Sequence, residues 1–199
     1  MRRTPQQERG QRRVQQILDA AENVFAEVGH EVATTNMIAR RANTSIGSLY
    51  QFFPNKESIV ELLARRLAKE LDRELTPPAD MGDCTDAVAK FVDDVYRFSQ
   101  GHAGLLPLLY GTFQSTGSVG EYTQLHEKLH RHLQALLTAD NGPPANPRSA
   151  ITIRLAVCCT AAVLSHIATL EPEHHAFALS ELKRNLTAFL CAPSYTTSM

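Results

Sequence analysis

The stretch from Thr34 to Lys56, TTNMIARRANTSIGSLYQFFPNK, constrains the fold more than any other part of the chain. Met37, Ile38 and Ala42 make one apolar face. Ile46, Leu49 and Phe53 make a second at i, i+3 and i+7. Between them, Asn43 is a residue that tolerates the left-handed backbone of a tight turn. Thr44 and Ser45 offer hydroxyls to cap the second helix, and Pro54 ends it. Two short helices joined in this way form a helix-turn-helix, whose second helix fits a DNA major groove. The same spacing also fits an ordinary helical hairpin with a solvated polar face.

The polar residues say what such a unit would do. With Leu49 and Phe53 facing inward, Ser48, Gln51 and Phe52 lie toward the other side. Gly47 has no side chain, so DNA can approach its backbone closely. Glutamine bonds adenine through two atoms, and serine bonds most base edges. Asn36 and Ile46 join Ser48 and Gln51 as base readers, with Thr35 and Ser45 completing the expected contact set. Tyr50 and Lys56 have the chemistry of phosphate contacts, which fix register rather than read sequence. Phe52 has two open placements, against the DNA backbone or on the preceding helix.

At this point the sequence resembles the TetR family of bacterial transcriptional regulators, over roughly residues 13–62. The shared pattern includes Ile17-Leu18, Ala20-Ala21, Phe25-Ala26, Gly29, Thr34-Thr35, Ile38-Ala39 and Ala42. It continues through Ser45, Gly47-Ser48-Leu49-Tyr50, Phe53 and Asn55-Lys56-Glu57. So many positions in register carry far more information than a short motif. The turn departs from the usual Ala-Gly-Val-Ser and reads Ala42-Asn43-Thr44-Ser45. Asn43 replaces the glycine, and Thr44 puts a hydroxyl where an apolar side chain is usual.

Charge is distributed in keeping with a DNA reader. The formal net charge is only −1. Through Lys56, however, eight Lys and Arg face five Asp and Glu, whereas the remainder has twelve against sixteen. A basic first part on an acidic body suits a reading head attached to a separate partner domain. The expected division is residues 1–54 for the head with its basic tail and 55–199 for ligand binding and dimerisation.

Along the chain, residues 1–11 are polar, and Arg2, Arg3 and Arg9 make them either a solvated tail or a basic arm. Arg13 to Val28 follow a helical period capped by Gly29. Asn55 caps a fourth helix running to about Leu75, where Lys56 sits badly for the helix dipole unless a phosphate lies near. Residues 76–82 read as a linker. Further helices are expected over about 84–99, 104–113, 118–138, 148–170 and 173–190, with a loop at 141–147 and a frayed tail. The chain thus reads as all-α with about nine helices.

The helix over 148–170 is apolar around most of its circumference, so it must be covered on more than one face. The TetR resemblance implies that the last two helices pair with those of a second copy. A two-fold homodimer is also what reading an inverted repeat in double-stranded DNA requires. The resemblance further implies a small-molecule effector inside the carboxyl-terminal domain, expected here to be apolar or amphipathic. Its candidate contacts are Phe91, Phe98, His102, Leu106, Tyr110, Phe113, Gln114, His126, His130, Cys158, Cys159 and His166. In this family the regulator is most often a repressor.

Other chemistry is sparse. His126-Glu127-Lys128-Leu129-His130 matches the HExxH pattern of zinc hydrolases, the alternative reading. Its extended form would need histidine where Leu136 stands, so no metal, cofactor or catalytic residue is assigned. Asp93-Asp94 reads as a solvated face. The polar amino terminus shows no secretory signal, and Arg154 and His166 bracket the apolar run at 155–164 too closely for a membrane span. With no CxxC pair, the four cysteines are expected to be reduced and mostly buried, and the protein cytoplasmic with no membrane partner.

Overall fold

The computed structural model describes residues 5–75, 82–102, 104, 106, 108–109, 122–138 and 147–191. Among these residues there are eight helices and no strand. They are α1 (Pro5–Val32), α2 (Thr35–Arg41), α3 (Ile46–Tyr50) and α4 (Lys56–Glu74). α5 (Cys84–Gly101), α6 (Tyr122–Leu137), α7 (Pro147–Ile167) and α8 (Pro172–Leu190) follow. The all-α class holds. Of the short helix expected over 104–113, only Gly104, Leu106, Leu108 and Leu109 are described, and the last three are helical. The linker, the 141–146 loop, the last eight residues, Arg2 and Arg3 lie outside the described residues.

The chain divides into two compact units, Met1–Glu70 with Ser99–Leu125, and Leu71–Phe98 with His126–Met199. In the first, Ile17, Ala21, Val24 and Phe25 of α1 are buried together with Ile38, Leu49, Phe53, Ile59 and Leu63. Each large apolar side chain removed from water contributes about 2 kcal/mol, which is what fixes the short α2 and α3 in place. Arg66 of α4 reaches Asp19 at 2.5 Å and also pairs with Glu22 of α1. The Gly104 amide donates to the same Glu22 at 3.3 Å.

α1 begins at Pro5, earlier than the sequence pattern indicates, so residues 5–11 are helix rather than tail. Proline suits a first turn because its missing N–H has no partner there anyway. Glu8 near that end and its contact with Arg12 at 3.8 Å favour the extension. Gly29 interrupts the helix at φ 76°, ψ 163°, a backbone that glycine adopts without penalty.

In the second unit, Val88, Phe91, Val92 and Val95 of α5 are buried with Leu129, Leu133 and Leu136 of α6. Ala156, Val157, Ala161 and Leu164 of α7 and Leu182 and Leu186 of α8 complete this core. The segment Ala150–Ile167 is long and apolar enough, by length and composition, to cross a membrane. Of that segment 39% is buried inside the protein, and its buried side chains belong to this core. Asp94 corrects the expectation of a solvated acidic face: it is 1% exposed. Its carboxylate accepts from Lys90 at 2.5 and 2.6 Å and from His132 at 3.0 Å, which offsets the cost of its burial. Asp93 instead pairs with Lys183 of α8 at 2.6 Å.

The cysteines also depart from expectation. Cys84 and Cys191 form a disulfide, with their Cα atoms 5.9 Å apart. Of the other two, Cys158 is half-buried and Cys159 is exposed. Burial pushes the Cys158 thiol up from its ordinary value, with neighbouring Cys159 adding to the shift.

Candidate functional site

The turn between α2 and α3 is built as its residues suggest. Asn43 takes φ 48°. The Thr44 amide donates to the Ala39 carbonyl at 3.0 Å, and the Asn43 amide to the Arg40 carbonyl at 3.2 Å. These are the two hydrogen bonds of a Schellman ending, which a left-handed residue makes possible. Thr34 Oγ1 caps α2 by accepting from the Met37 amide at 3.2 Å. Ser45 Oγ caps α3 by accepting from the Ser48 amide at 3.1 Å. Of the two hydroxyls offered for that role, Ser45 supplies the cap.

These contacts decide what α3 presents. Leu49 is fully buried and holds the helix. Gly47, Tyr50 and Gln51 are exposed, Ile46 and Ser48 half-buried. A Cβ built on Gly47 meets nothing within 4 Å, so the space over it is open. On α2, Asn36 and Arg40 are exposed and Thr35 is half-buried. Tyr50 OH and Thr35 Oγ1 lie 3.1 Å apart, which ties the two helices through their exposed side. Arg41 forks onto Glu27 of α1 at 2.8 and 2.5 Å, and this pairing holds the Glu27 carboxyl below its usual range. Arg40, one turn after Asn36 on α2, adds an exposed cation beside the expected readers.

Lys56 is placed differently from a solvent-facing cation. Its ammonium donates to the carbonyls of His30 at 2.8 Å, Ala33 at 3.1 Å and, more weakly, Glu31 at 3.5 Å. A cation at carbonyls that end a helix is favoured by charge and by hydrogen bonding. This compensates the poor position of Lys56 at the start of α4. Phe52 is 38% exposed, with one edge of its ring near Gly10 of α1, 3.9 Å from where a Cβ there would stand.

The effector candidates are dispersed. His102 and Leu106 belong to the first unit, whereas Phe91, Phe98, His126, His130, Cys158, Cys159 and His166 belong to the second. His102 Nδ1 lies 3.4 Å from Glu70. His130 Nε2 lies 3.4 Å from the Ala150 carbonyl. Phe91 and Phe98 are core residues, and Cys159 and His166 are exposed. Tyr110, Phe113 and Gln114 lie outside the described residues. Among the described residues no group of three or more His, Cys, Asp or Glu is placed to hold a metal, so His126 and His130 have no third ligand there.

The second unit does contain an open cavity of about 330 Å³, lined by Asp72, Leu75, Lys128, Arg131, His132, Gln134 and Ala135. None of the effector candidates lines it. Lys128, Arg131, His132 and Ala135 stand at i, i+3, i+4 and i+7 on α6, a spacing legible in the sequence. Lys128 pairs with Asp72. His132 is 6% exposed, and its Nε2–H donates to the Asp94 carboxylate, which can only accept. Among the described residues its Nδ1 has no hydrogen-bond partner. Burial lowers the His132 pKa, against the opposing pull of Asp94.

Comparison with known proteins decides the family. Residues 17–63 match the family described as "Bacterial regulatory proteins, tetR family". Residues 83–190, more than half of the chain, match "Tetracyclin repressor-like, C-terminal domain". The chain belongs to the TetR family. Among its relatives, the HTH-type transcriptional repressor KstR of Rhodococcus jostii is 38% identical over 61 residues, 31% of this chain and 27% of that one. The matched stretches span about a third or less of the first curated relatives, at 30%, 35% and 27% of their lengths. A TetR-family regulator of Streptomyces coelicolor superposes with a TM-score of 0.64 at 20% identity, covering 90% of this chain and 98% of that one. Thermus thermophilus FadR, a TetR-family repressor solved with lauroyl-CoA, gives 0.55 at 17% identity, covering 94% and 98%. At such identities the structural likeness speaks for the fold alone.

Proposed function

We propose that this TetR-family protein is a DNA-binding transcriptional repressor that reads an inverted repeat as a homodimer and is released by a small effector. The observation that carries the reading is the α2–α3 unit. It is rigidly capped, held from below by Leu49, and exposes Gly47, Tyr50 and Gln51 on one side. In this reading Asn36, Ile46, Ser48 and Gln51 meet base edges. Tyr50 meets phosphate, steadied by Thr35, and Arg40 joins it. Ser45 positions α3, and Lys56 serves by holding the end of α1 against the start of α4. Residues 1–54 form the reading head, and 55–199 the effector and dimer domain.

The dimer face follows from what α7 and α8 leave uncovered. Ile151, Leu155 and Val163 are 60%, 49% and 37% exposed, and Cys159 between them is exposed too. They recur every four residues on α7. Phe177 and Phe189 of α8 are 71% and 46% exposed. A monomer seldom leaves such a set in water, and a second copy of the same face covers it. Two heads so joined can fall on half-sites about 34 Å apart.

The cavity on α6 suits an amphipathic effector, with Leu75 and Ala135 for an apolar part and Arg131 for an anionic group. Release then follows if the effector binds better to the form with displaced heads. The named relatives are regulators, and this protein is proposed to be a cytoplasmic regulator rather than an enzyme. The HExxH match gains no support from its surroundings. Selection of bound duplexes from a random pool tests the reading: an enriched inverted repeat is expected, and no enrichment refutes it.

A further inference from the structure

Among the described residues, three side-chain links join α5 to α8 and to Cys191 just past its end. His175 and Tyr96 meet at 3.0 Å, Lys183 and Asp93 at 2.6 Å, and Cys191 is bonded to Cys84. The order is antiparallel, with the disulfide at the far end of α8. His175 Nε2 also contacts the Leu170 carbonyl at 3.1 Å, so the start of α8 is fixed independently. Loss of the disulfide would leave the first two links in place. The last turn of α8, residues 187–190 beyond Leu186, would lose its covalent tie. That turn carries Phe189, part of the exposed apolar set.

Both bonded cysteines are half-buried rather than sealed in the core. The bond closes a sequence separation of 107 residues, so it restricts the chain over a long span. A disulfide in a cytoplasmic protein is uncommon and, where found, tends to be reversible.

We propose that Cys84 and Cys191 are a reversible redox site whose oxidised form favours the dimer and the operator complex. The cytoplasmic setting and the operator are taken from the function proposed above. The co-reactant is a low-molecular-weight disulfide of the glutathione class. One cysteine thiolate attacks it, forming a mixed disulfide and releasing one small thiol. The second cysteine thiolate attacks the mixed disulfide, forming the Cys84–Cys191 bond and releasing the second small thiol. Two electrons pass from the protein to the small disulfide, and the two cysteine protons end on the released thiols. Excess small thiol reverses both steps.

The test uses the full chain equilibrated in buffers of defined oxidised-to-reduced glutathione ratio. Alkylation with peptide mapping should find Cys84 and Cys191 bonded to each other in oxidising buffer and free in reducing buffer. Oxidation should strengthen self-association by sedimentation and tighten binding to the inverted repeat selected from random DNA, by at least about five-fold. Cys191→Ser should behave as the reduced protein in both buffers, and Cys84→Ser serves if that variant does not fold. A bond that stays closed in excess thiol, equal association and affinity in both states, or a redox response retained in Cys191→Ser would each overturn the proposal. If neither state binds DNA, the repressor reading fails, while self-association still decides the redox proposal.

Discussion

The Lys56 ammonium lies 2.8 Å from the carbonyl oxygen of His30, joining the first residue of α4 to the end of α1 across 26 positions of sequence. With Ala33 as a second firm acceptor, the side chain acts as a cap supplied from another helix. Hydrogen bonds to a charged donor contribute more than neutral ones. Lys56→Met should therefore destabilise the protein by about 2 kcal/mol, read from urea unfolding. Unchanged stability would show that these contacts contribute little. Any loss of DNA binding in this variant has to be measured where the protein remains folded.

His30 and His132 should make the protein less stable in acid. Burial is the leading cause of the lowered pKa in both, joined for His30 by the nearby Lys56 ammonium. Among the described residues neither ring nitrogen of His30 has a firm hydrogen-bond partner, and Glu31, 3.5 Å from Nδ1, opposes the shift without reversing it. Each histidine binds a proton more readily in the unfolded chain than in the folded one. Stability is then fully present above the usual histidine value of about 6.5 and falls as the pH drops below it. Unfolding measured from pH 7.5 to 5.5 should show this decline, and His30→Gln should make it shallower. A flat profile would mean that both rings are protonated equally in the two states.

Tyr50 and Gln51 are neighbours with different expected roles. Tyr50→Phe removes the hydroxyl 3.1 Å from Thr35 and should weaken binding to all duplexes to a similar degree. Gln51→Ala should cost about 1–3 kcal/mol on the preferred site and much less on a site altered at the base it reads. Competition binding with variant duplexes separates the two patterns. An equal loss on every duplex for Gln51→Ala would remove it from the base readers.

Leu155 is 49% exposed on α7, with Cys159 one turn further along the same face. Leu155→Glu should leave the fold intact by circular dichroism and shift sedimentation toward monomer. In the unmutated dimer, Cys159 should react with a maleimide far more slowly than in the Leu155→Glu monomer. Equal rates would place the interface elsewhere.

How far these features were legible depends on whether their causes are local. The α2–α3 unit was readable because a turn residue, a hydroxyl cap and an apolar period all sit within a few positions. The all-α class followed from the same periodicity, repeated along the chain. The early start of α1 was not, since short-range pairs such as Glu8 with Arg12 stabilise it without any apolar stripe. Lys56 looked available because the carbonyls it reaches are far away in sequence. Asp94 looked solvated because its burial depends on His132, 38 positions on. Cys84 and Cys191 looked unpaired for the same reason, standing 107 residues apart. The cavity was half visible: its α6 face is periodic, whereas Asp72 and Leu75 come to it through packing alone.

The central claim is that two identical heads, held at a fixed separation by one dimer, read two half-sites together. The most direct test is binding to the selected inverted repeat after insertion of about five base pairs, half a helical turn, between its halves. The insertion turns one half-site to the opposite face of the duplex without changing a base in either half. The account predicts that two chains bind the original repeat and that the insertion lowers affinity by roughly a hundred-fold or more, to near the level of non-specific DNA. Equal affinity for the two duplexes would contradict it, because each head would then be reading alone.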